Sequence, residues 1–446
     1  MIVGLFAVVV FRFLLRELEQ ESGSFVTAFS QSDWLINYSG GFVRRGFAGT
    51  VIRLLDSKFG LGAHAVITAL AVASFLAVFL AYGRQIVRLI NRIDPLALSL
   101  LLFLPSLIMF PILDNRSLGR KEWFFVLLLV FHLVILERTL RSIRTTDSAV
   151  GTGDDEIRRY LWRFAIAFNI LGVPVALTHE SILFLAIPLN ALILMRVLSI
   201  RSHAGGRLLV SVGVFGPTVV ASLSGYLWRG HEVVQGICES WESLGVLECF
   251  QDGRSGAIEA LDWSFWEAIA LPRRVVSSIS SLGWWLFIFG LVLGLLLIAT
   301  VRLVASFERH ERVSNGLRLT AVVYGRYLLV PLAFSIPVFA VGWDWGRWLW
   351  VVSMSFAFVL TSPEILRIEG LHSARLAHLR PCNSPDQWFQ RRWWVTLNEA
   401  LKLDSGRVML AFYSVALFTI FFVRVPACCV DSGVVKIRLW SYLQGF

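Results

Sequence analysis

The chain has 446 residues, 56% of them apolar and 16% charged, with a mean hydropathy of +0.69. Soluble globular chains run about 45–50% apolar and about 25% charged, so this composition excludes a cytosolic enzyme, a secreted module and a disordered polypeptide. The net charge of +10 sets 41 cations against 31 acids, and no Lys/Arg run or basic stretch interleaved with aromatics points to nucleic acid.

Apolar runs of about 20 residues are what a bilayer demands, and about eleven candidates are present. They fall near 2–15, 62–82, 96–113, 123–137, 160–177, 181–199, 208–227, 282–301, 319–341, 348–362 and 408–424. The first run is short and contains Arg12, but it has neither the basic leader nor the small-residue cleavage site of a signal peptide. It is therefore read as a helix. The expected fold is all-α, a polytopic membrane protein of about eleven transmembrane helices with an interfacial helix in its first external loop.

Orientation follows from the alternating loops. Those at 84–95, 137–163, 196–207, 302–318 and 363–407 are the denser in Lys and Arg, so the positive-inside rule puts them in the cytoplasm. The stretches 16–61, 114–122, 179–180, 228–281, 342–348 and 424–446 then lie outside. No repeat and no Pro- or Gly/Ser-rich linker divides the chain, so 1–446 is read as one transmembrane domain. External loops at 16–61 and 228–281 and a cytoplasmic loop at 363–407 are its largest excursions. Within that last loop, 386–402 mixes Trp, Arg and apolar residues on different faces, as an interfacial helix does. Cys238 and Cys249 share the larger external loop, where an oxidising compartment could join them.

Four polar clusters interrupt the apolar pattern, and all fall on the predicted outer side. The first runs from Asp33 through Asn37, Tyr38, Ser39, Gly40 and Gly41 to Arg44 and Arg45, and precedes an amphipathic stretch at 47–59. A carboxylate, a glycine turn that lets backbone approach a ligand, and two cations make a candidate phosphate-handling loop. The second, a short turn, packs Asp114, Arg116, Arg120, Lys121 and Glu122 together, cations on the side where the positive-inside rule disfavours them. The third is His179-Glu180 at an almost loopless junction, where ionisable groups beside hydrocarbon face a cavity or a partner. In the fourth, Trp343, Asp344, Trp345 and Arg347 offer indole faces to sugar rings and a guanidinium to phosphate. Each cluster also has a structural reading: a capped turn, a local ion pair, a helix cap or an aromatic belt.

A carboxylate in the first external loop followed by a surface-lying helix resembles the GT-C glycosyltransferases. The GGFVRRG, GRKE, HE and DWGRW segments also look like those of bacterial surface-polysaccharide membrane proteins. The resemblance implies transfer of a sugar from a polyprenyl-phosphate or -diphosphate donor to an acceptor hydroxyl on a glycan or lipid. Asp33 would be the catalytic base, with Arg44, Arg45, Arg116, Arg120, Lys121 and Arg347 binding the phosphate. Asp114, His179, Glu180, Trp343, Asp344 and Trp345 would support them. It implies a multi-pass bacterial inner membrane with the active face outside. Two departures stand out: Asp33 is followed by Trp34 rather than by a second acid, which leaves any divalent metal open, and loop 228–281 is small for an added periplasmic domain. A transporter or flippase for an anionic or lipid-linked substrate, and a non-catalytic assembly subunit, are the alternatives. Oligomeric state is not fixed by the sequence.

Overall fold

The computed structural model describes residues 28–113, 118–146, 153–199, 204–225, 231–242, 256–261, 265–270, 279–311, 321–342 and 344–366, with a few isolated positions besides. The span expected at 2–15, the interfacial helix at 386–402 and most of the span at 408–424 lie outside the described residues. In chain order the helices are α1 Ala28–Leu35, α2 Gly46–Phe59, α3 Ala63–Leu89, α4 Pro95–Phe103, α5 Phe110–Leu113, α6 Trp123–Thr146, α7 Gly153–Thr178 and α8 Ile182–Leu185. There follow α9 Ile187–Leu198, α10 Ala204–Ser224, α11 His231–Glu242, α12 Gly256–Glu259, α13 Phe265–Ala270, α14 Ile279–Glu311, α15 Ala321–Val341 and α16 Trp345–Leu360.

Five helices are long and apolar enough to cross a membrane: Ala63–Leu89, Trp123–Ser142, Asp155–Thr178, Ser281–Phe307 and Tyr324–Val341. Three shorter apolar helices lie over Ile182–Leu198, Leu208–Ser224 and Trp345–Leu360. All eight fall on expected spans, and the all-helical array is compatible with a polytopic membrane protein. Aliphatic residues such as Leu80, Ile170, Leu209, Val220 and Leu286 are exposed along its outside. Water would penalise such a surface, whereas hydrocarbon would not.

The span expected at 96–113 is divided. Asp94 caps α4, its carboxylate accepting from the amides of Leu96 and Ala97, and Pro95 occupies the first turn, where its missing N–H costs nothing. Pro105 then forces Leu104 into extended backbone, and 104–109 runs as buried turns before α5.

Helix α7 is the hub, packing against α6, α10 and α2, while α14 packs on α4 and α15 on α16. Polar contacts tie the apolar interior at single points. His132 on α6 sits between Asn190 (2.9 Å) and the Tyr160 hydroxyl (2.5 Å), and Asn169 donates to the Val214 carbonyl at 2.7 Å while accepting from Thr218. At one end Glu137 gathers Arg84, Arg88 and Arg141, and Arg196 pairs with Glu369, which also accepts from the Tyr327 hydroxyl at 2.6 Å. At the other end a second, smaller core joins Trp34, Ile36, Val43 and Ile52 to Ile237, Trp241 and Ile258 of α11 and α12.

Candidate functional site

Residues from all four polar clusters meet at this second end. The 36–45 turn is shaped by close backbone contact. A Cβ on Gly40 would lie 2.1 Å from the Val233 carbonyl oxygen, and one on Gly236 would lie 2.7 Å from the Gly40 Cα, so the turn and α11 touch backbone to backbone. The close approach expected toward a ligand is thus made to α11. Asn37 pins the same turn, donating to Ser240 at 2.8 Å and accepting from the Ser39 amide at 2.9 Å. Cys238, on the same helix, is disulfide-bonded; Cys249, its expected partner, lies outside the described residues.

The turn delivers Arg45 to the start of α2 with φ 67°, left-handed backbone that non-glycine residues adopt rarely. From there its guanidinium closes on Glu180, Nε to Oε2 at 2.8 Å and Nη2 to Oε1 at 2.7 Å, while Nη1 stands 3.3 Å from Asp33 Oδ1. Arg44 Nη1 reaches the same Glu180 at 3.3 Å and its other arm donates to the Ala260 carbonyl.

Lys121 is buried behind this layer. Its Nζ donates to the backbone carbonyl of Asp33 at 2.7 Å and to that of Thr178 at 3.4 Å, stands 3.6 Å from Asp33 Oδ2, and lies 5.7 Å from the centre of the Trp34 ring. The Trp34 indole in turn donates to the Gly119 carbonyl at 2.8 Å, which locks the 118–122 turn against α1. Glu122 accepts from Arg347 at 2.6 Å, and Arg347 also pairs with Asp344. Arg120 lies close enough to Arg347 for the two cations to oppose each other, and burial and that repulsion together lower its pKa to about 10.

His179 connects the two halves. Its Nε2 is 3.9 Å from Glu122, and its Nδ1 is 3.8 Å from Glu180 and 2.9 Å from the Ser181 hydroxyl. The Ser181 amide also donates to Nδ1, which holds the ring on the turn before the short α8.

Charge balance follows from proximity. Burial alone would raise the Asp33 pKa, but Lys121 and then Arg45 outweigh it and hold the carboxylate well below its usual range. Glu180 is likewise depressed, burial being overcome by Arg45 and Arg44. His179 is lowered by burial and by Arg45, and so is neutral at pH 7. Among the described residues, five basic side chains (Arg44, Arg45, Arg120, Lys121, Arg347) thus face four carboxylates (Asp33, Glu122, Glu180, Asp344).

Against the cluster lies an apolar cavity of about 540 Å³ between α1, α2, α3, α6 and α7. Trp34 and Thr178 form part of its wall, and Val51, Leu70, Phe131 and Ile170 line it while also facing outward, so it opens on the side where the apolar surface is exposed.

Of the residues singled out in the sequence, Asp33, Arg44, Arg45, Arg120, Lys121, His179, Glu180, Asp344 and Arg347 share this site. Trp345 does not present an open face: its indole donates to the Phe339 and Gly342 carbonyls and its ring packs on Trp285, Phe289 and Phe339. Asp114, Arg116 and Trp343 lie outside the described residues. Glu122 and Trp34 are members that the sequence flagged only as a local counter-ion of Lys121 and as a neighbour of Asp33. Among the described residues no group of three or more His, Cys, Asp or Glu could hold a metal ion.

The fold and site define a class: an all-helical protein of long apolar helices, compatible with membrane embedding, with a buried, ion-paired cluster at one end. No family model matches the chain, and neither a curated protein nor a solved structure matches it.

Proposed function

We propose that the protein is a GT-C-like membrane glycosyltransferase, or a polysaccharide polymerase, taking a polyprenyl-(di)phosphate-linked sugar at the external face of a bacterial inner membrane. The observation that carries the reading is the juxtaposition of the apolar cavity with the cation cluster: Trp34 and Thr178 wall the one and contact Lys121 of the other. An apolar chain with an anionic head is the ligand shape that matches both. The disulfide at Cys238 supports an external placement, because such bonds persist in oxidising compartments.

In this reading the acceptor hydroxyl oxygen attacks the anomeric carbon, the bond from that carbon to the phosphate oxygen breaks, and the phosphate leaves with the electron pair. Arginine forks bind and stabilise the departing oxygens. The hydroxyl proton goes to Asp33. In the ligand-free state Lys121 and Arg45 depress the basicity of Asp33, and a phosphate that engages the same cations relaxes that hold and raises its proton affinity. The base is thus activated where and when donor is bound.

The test is transfer from extracted polyprenyl-linked glycans in nanodiscs by wild type and Asp33→Asn. Asn keeps the backbone carbonyl that holds Lys121, so the variant is expected to elute as wild type does. Loss of about 10²–10⁴-fold in rate supports a general base; equal rates overturn that role. A carrier is the second reading, favoured by one observation, the buried non-helical stretch 104–109 between α4 and α5. Uptake of the lipid-linked substrate across liposomes without transfer would select it.

A further inference from the structure

The Arg44–Arg45 pair already holds an anion, the carboxylate of Glu180. Two guanidiniums converge on it, with three N–H groups of Arg45 and Arg44 between 2.7 and 3.3 Å from its oxygens. Planar forks around one anionic group are the arrangement by which arginines take phosphate. Glu180 stands on the turn His179–Ser181, between the end of α7 and the start of α8, so its side chain can swing without either helix unwinding. One further cation, the Lys121 ammonium, lies near enough to feel its field. Arg45, meanwhile, leaves the chain from a left-handed position at the start of α2 and spans both Glu180 and Asp33.

We propose that Glu180 is a displaceable internal ligand, whose carboxylate occupies the place of a phosphate group on Arg44 and Arg45 and leaves when a phosphate-bearing substrate binds. The inference rests on the reading that the substrate carries phosphate, and it names how the site stays closed without one. No covalent bond changes; one ion pair is exchanged for another. A partly buried pair of guanidiniums left without a counter-ion would be unfavourable, and Glu180 removes that state from the cycle.

The experiment is a titration of the full chain in nanodiscs with inorganic pyrophosphate and, separately, with a long-chain alkyl phosphate. Wild type is compared with Glu180→Asp, Glu180→Gln and Asp56→Asn. Glu180→Asp keeps the charge but shortens the reach by one methylene, so competition weakens with no change in net charge. Asp56→Asn removes a charge on α2 away from the pair and measures the long-range effect alone. Loss of a charge-assisted competitor predicts about ten-fold tighter binding for Glu180→Gln and a smaller tightening for Glu180→Asp. Asp56→Asn is expected to change affinity by less than about two-fold in physiological salt. Tightening toward both ligands assigns the exchange to phosphate itself; tightening toward the alkyl phosphate alone assigns it to a lipid headgroup. Weaker or unchanged binding by both Glu180 variants, an equal response from Asp56→Asn, or no binding to any form overturns the proposal. Tightening in a protein that transfers no sugar would reject the transferase and keep the exchange; transfer with unchanged affinities would do the reverse.

Discussion

Arg45 and Glu180, 135 residues apart, form a two-pronged ion pair in which Nε and Nη2 of the guanidinium lie 2.8 and 2.7 Å from the two carboxylate oxygens. The pair joins the start of α2 to the turn beyond α7. Asp33 shares the same guanidinium at 3.3 Å, so one side chain fixes two carboxylates from different elements.

Breaking that pair from one side is therefore expected to cost more than removing it whole. Arg45→Met leaves Glu180 to Arg44 alone and Asp33 to Lys121 alone, and about 1.5–3 kcal/mol of stability is expected to be lost. Glu180→Met, which leaves Arg45 still paired with Asp33, should cost less. The double variant should be more stable than the sum of the singles predicts, by about 1–3 kcal/mol of coupling. Thermal unfolding of the four proteins in detergent measures it. Additive losses would mean that the two groups do not interact in solution.

Much of this site can be read along the chain, because ionisable residues at the edges of apolar runs are conspicuous. Asp33, Arg45, Lys121, Glu180 and Arg347 stand out for that reason alone. Who pairs with whom cannot be read there. Lys121 goes to Asp33 and not to its neighbour Glu122, while Glu122 crosses 225 residues to Arg347. Local spacing favours the wrong partners, since packing of α6 against α7 and α16 decides the pairing. Hydropathy likewise joined 96–103 to 110–113 in one span, although Pro105 carried the signal for a break. Gly40 shows the same limit. Its need for a bare backbone was legible, but its partner, the Val233 carbonyl of α11, was not.

Sidedness is testable on a single helix. Phe59, 71% exposed, ends α2 just before α3, and Arg84 lies near the far end of α3 with its side chain 61% exposed. In the proposed orientation, cysteine at 59 is outside and cysteine at 84 is cytoplasmic. A membrane-impermeant maleimide applied to intact cells is expected to label Phe59→Cys and to spare Arg84→Cys until the cells are lysed. The opposite pattern would invert the topology and place the charged cluster in the cytoplasm.

The acid limb of stability should report His179 before any carboxylate. Its pKa is lowered in the fold by burial and by Arg45, so the unfolded chain binds the proton more readily. Stability from this group is complete above the unfolded value of about 6.5 and declines as pH falls below it toward the folded pKa. Asp33 and Glu180 are also depressed, so their contributions persist until pH drops below about 5, where unfolded carboxylates begin to protonate. The groups facing the imidazole are Glu122 from the 118–122 turn, Glu180 from its own turn, Arg45 from α2 and Asp33 from α1. His179→Gln keeps a hydrogen-bonding side chain without the titration and is expected to flatten the unfolding temperature between pH 6.5 and pH 5 relative to wild type. An unchanged slope would mean that the imidazole titrates alike in the folded and unfolded chain.

Filling the cavity separates the lipid arm of the site from its charged arm. Val175 lines it from α7, one turn before Thr178, and is partly exposed, so a larger side chain there enters the cavity rather than a packed core. Val175→Trp is expected to overpack by about 1–3 kcal/mol at most. It should leave pyrophosphate affinity within about two-fold of wild type, because the substitution alters no charge or phosphate donor. Long-chain alkyl phosphate should bind more weakly by about ten-fold or more, each excluded methylene forfeiting about 0.8 kcal/mol of burial. Chain-length dependence gives the sharper reading: wild-type affinity should climb from short to long alkyl phosphates, and the Val175→Trp series should level off early. Parallel curves for the two proteins would show that the chain lies elsewhere on the apolar surface and that the cavity and the cation cluster serve different ligands.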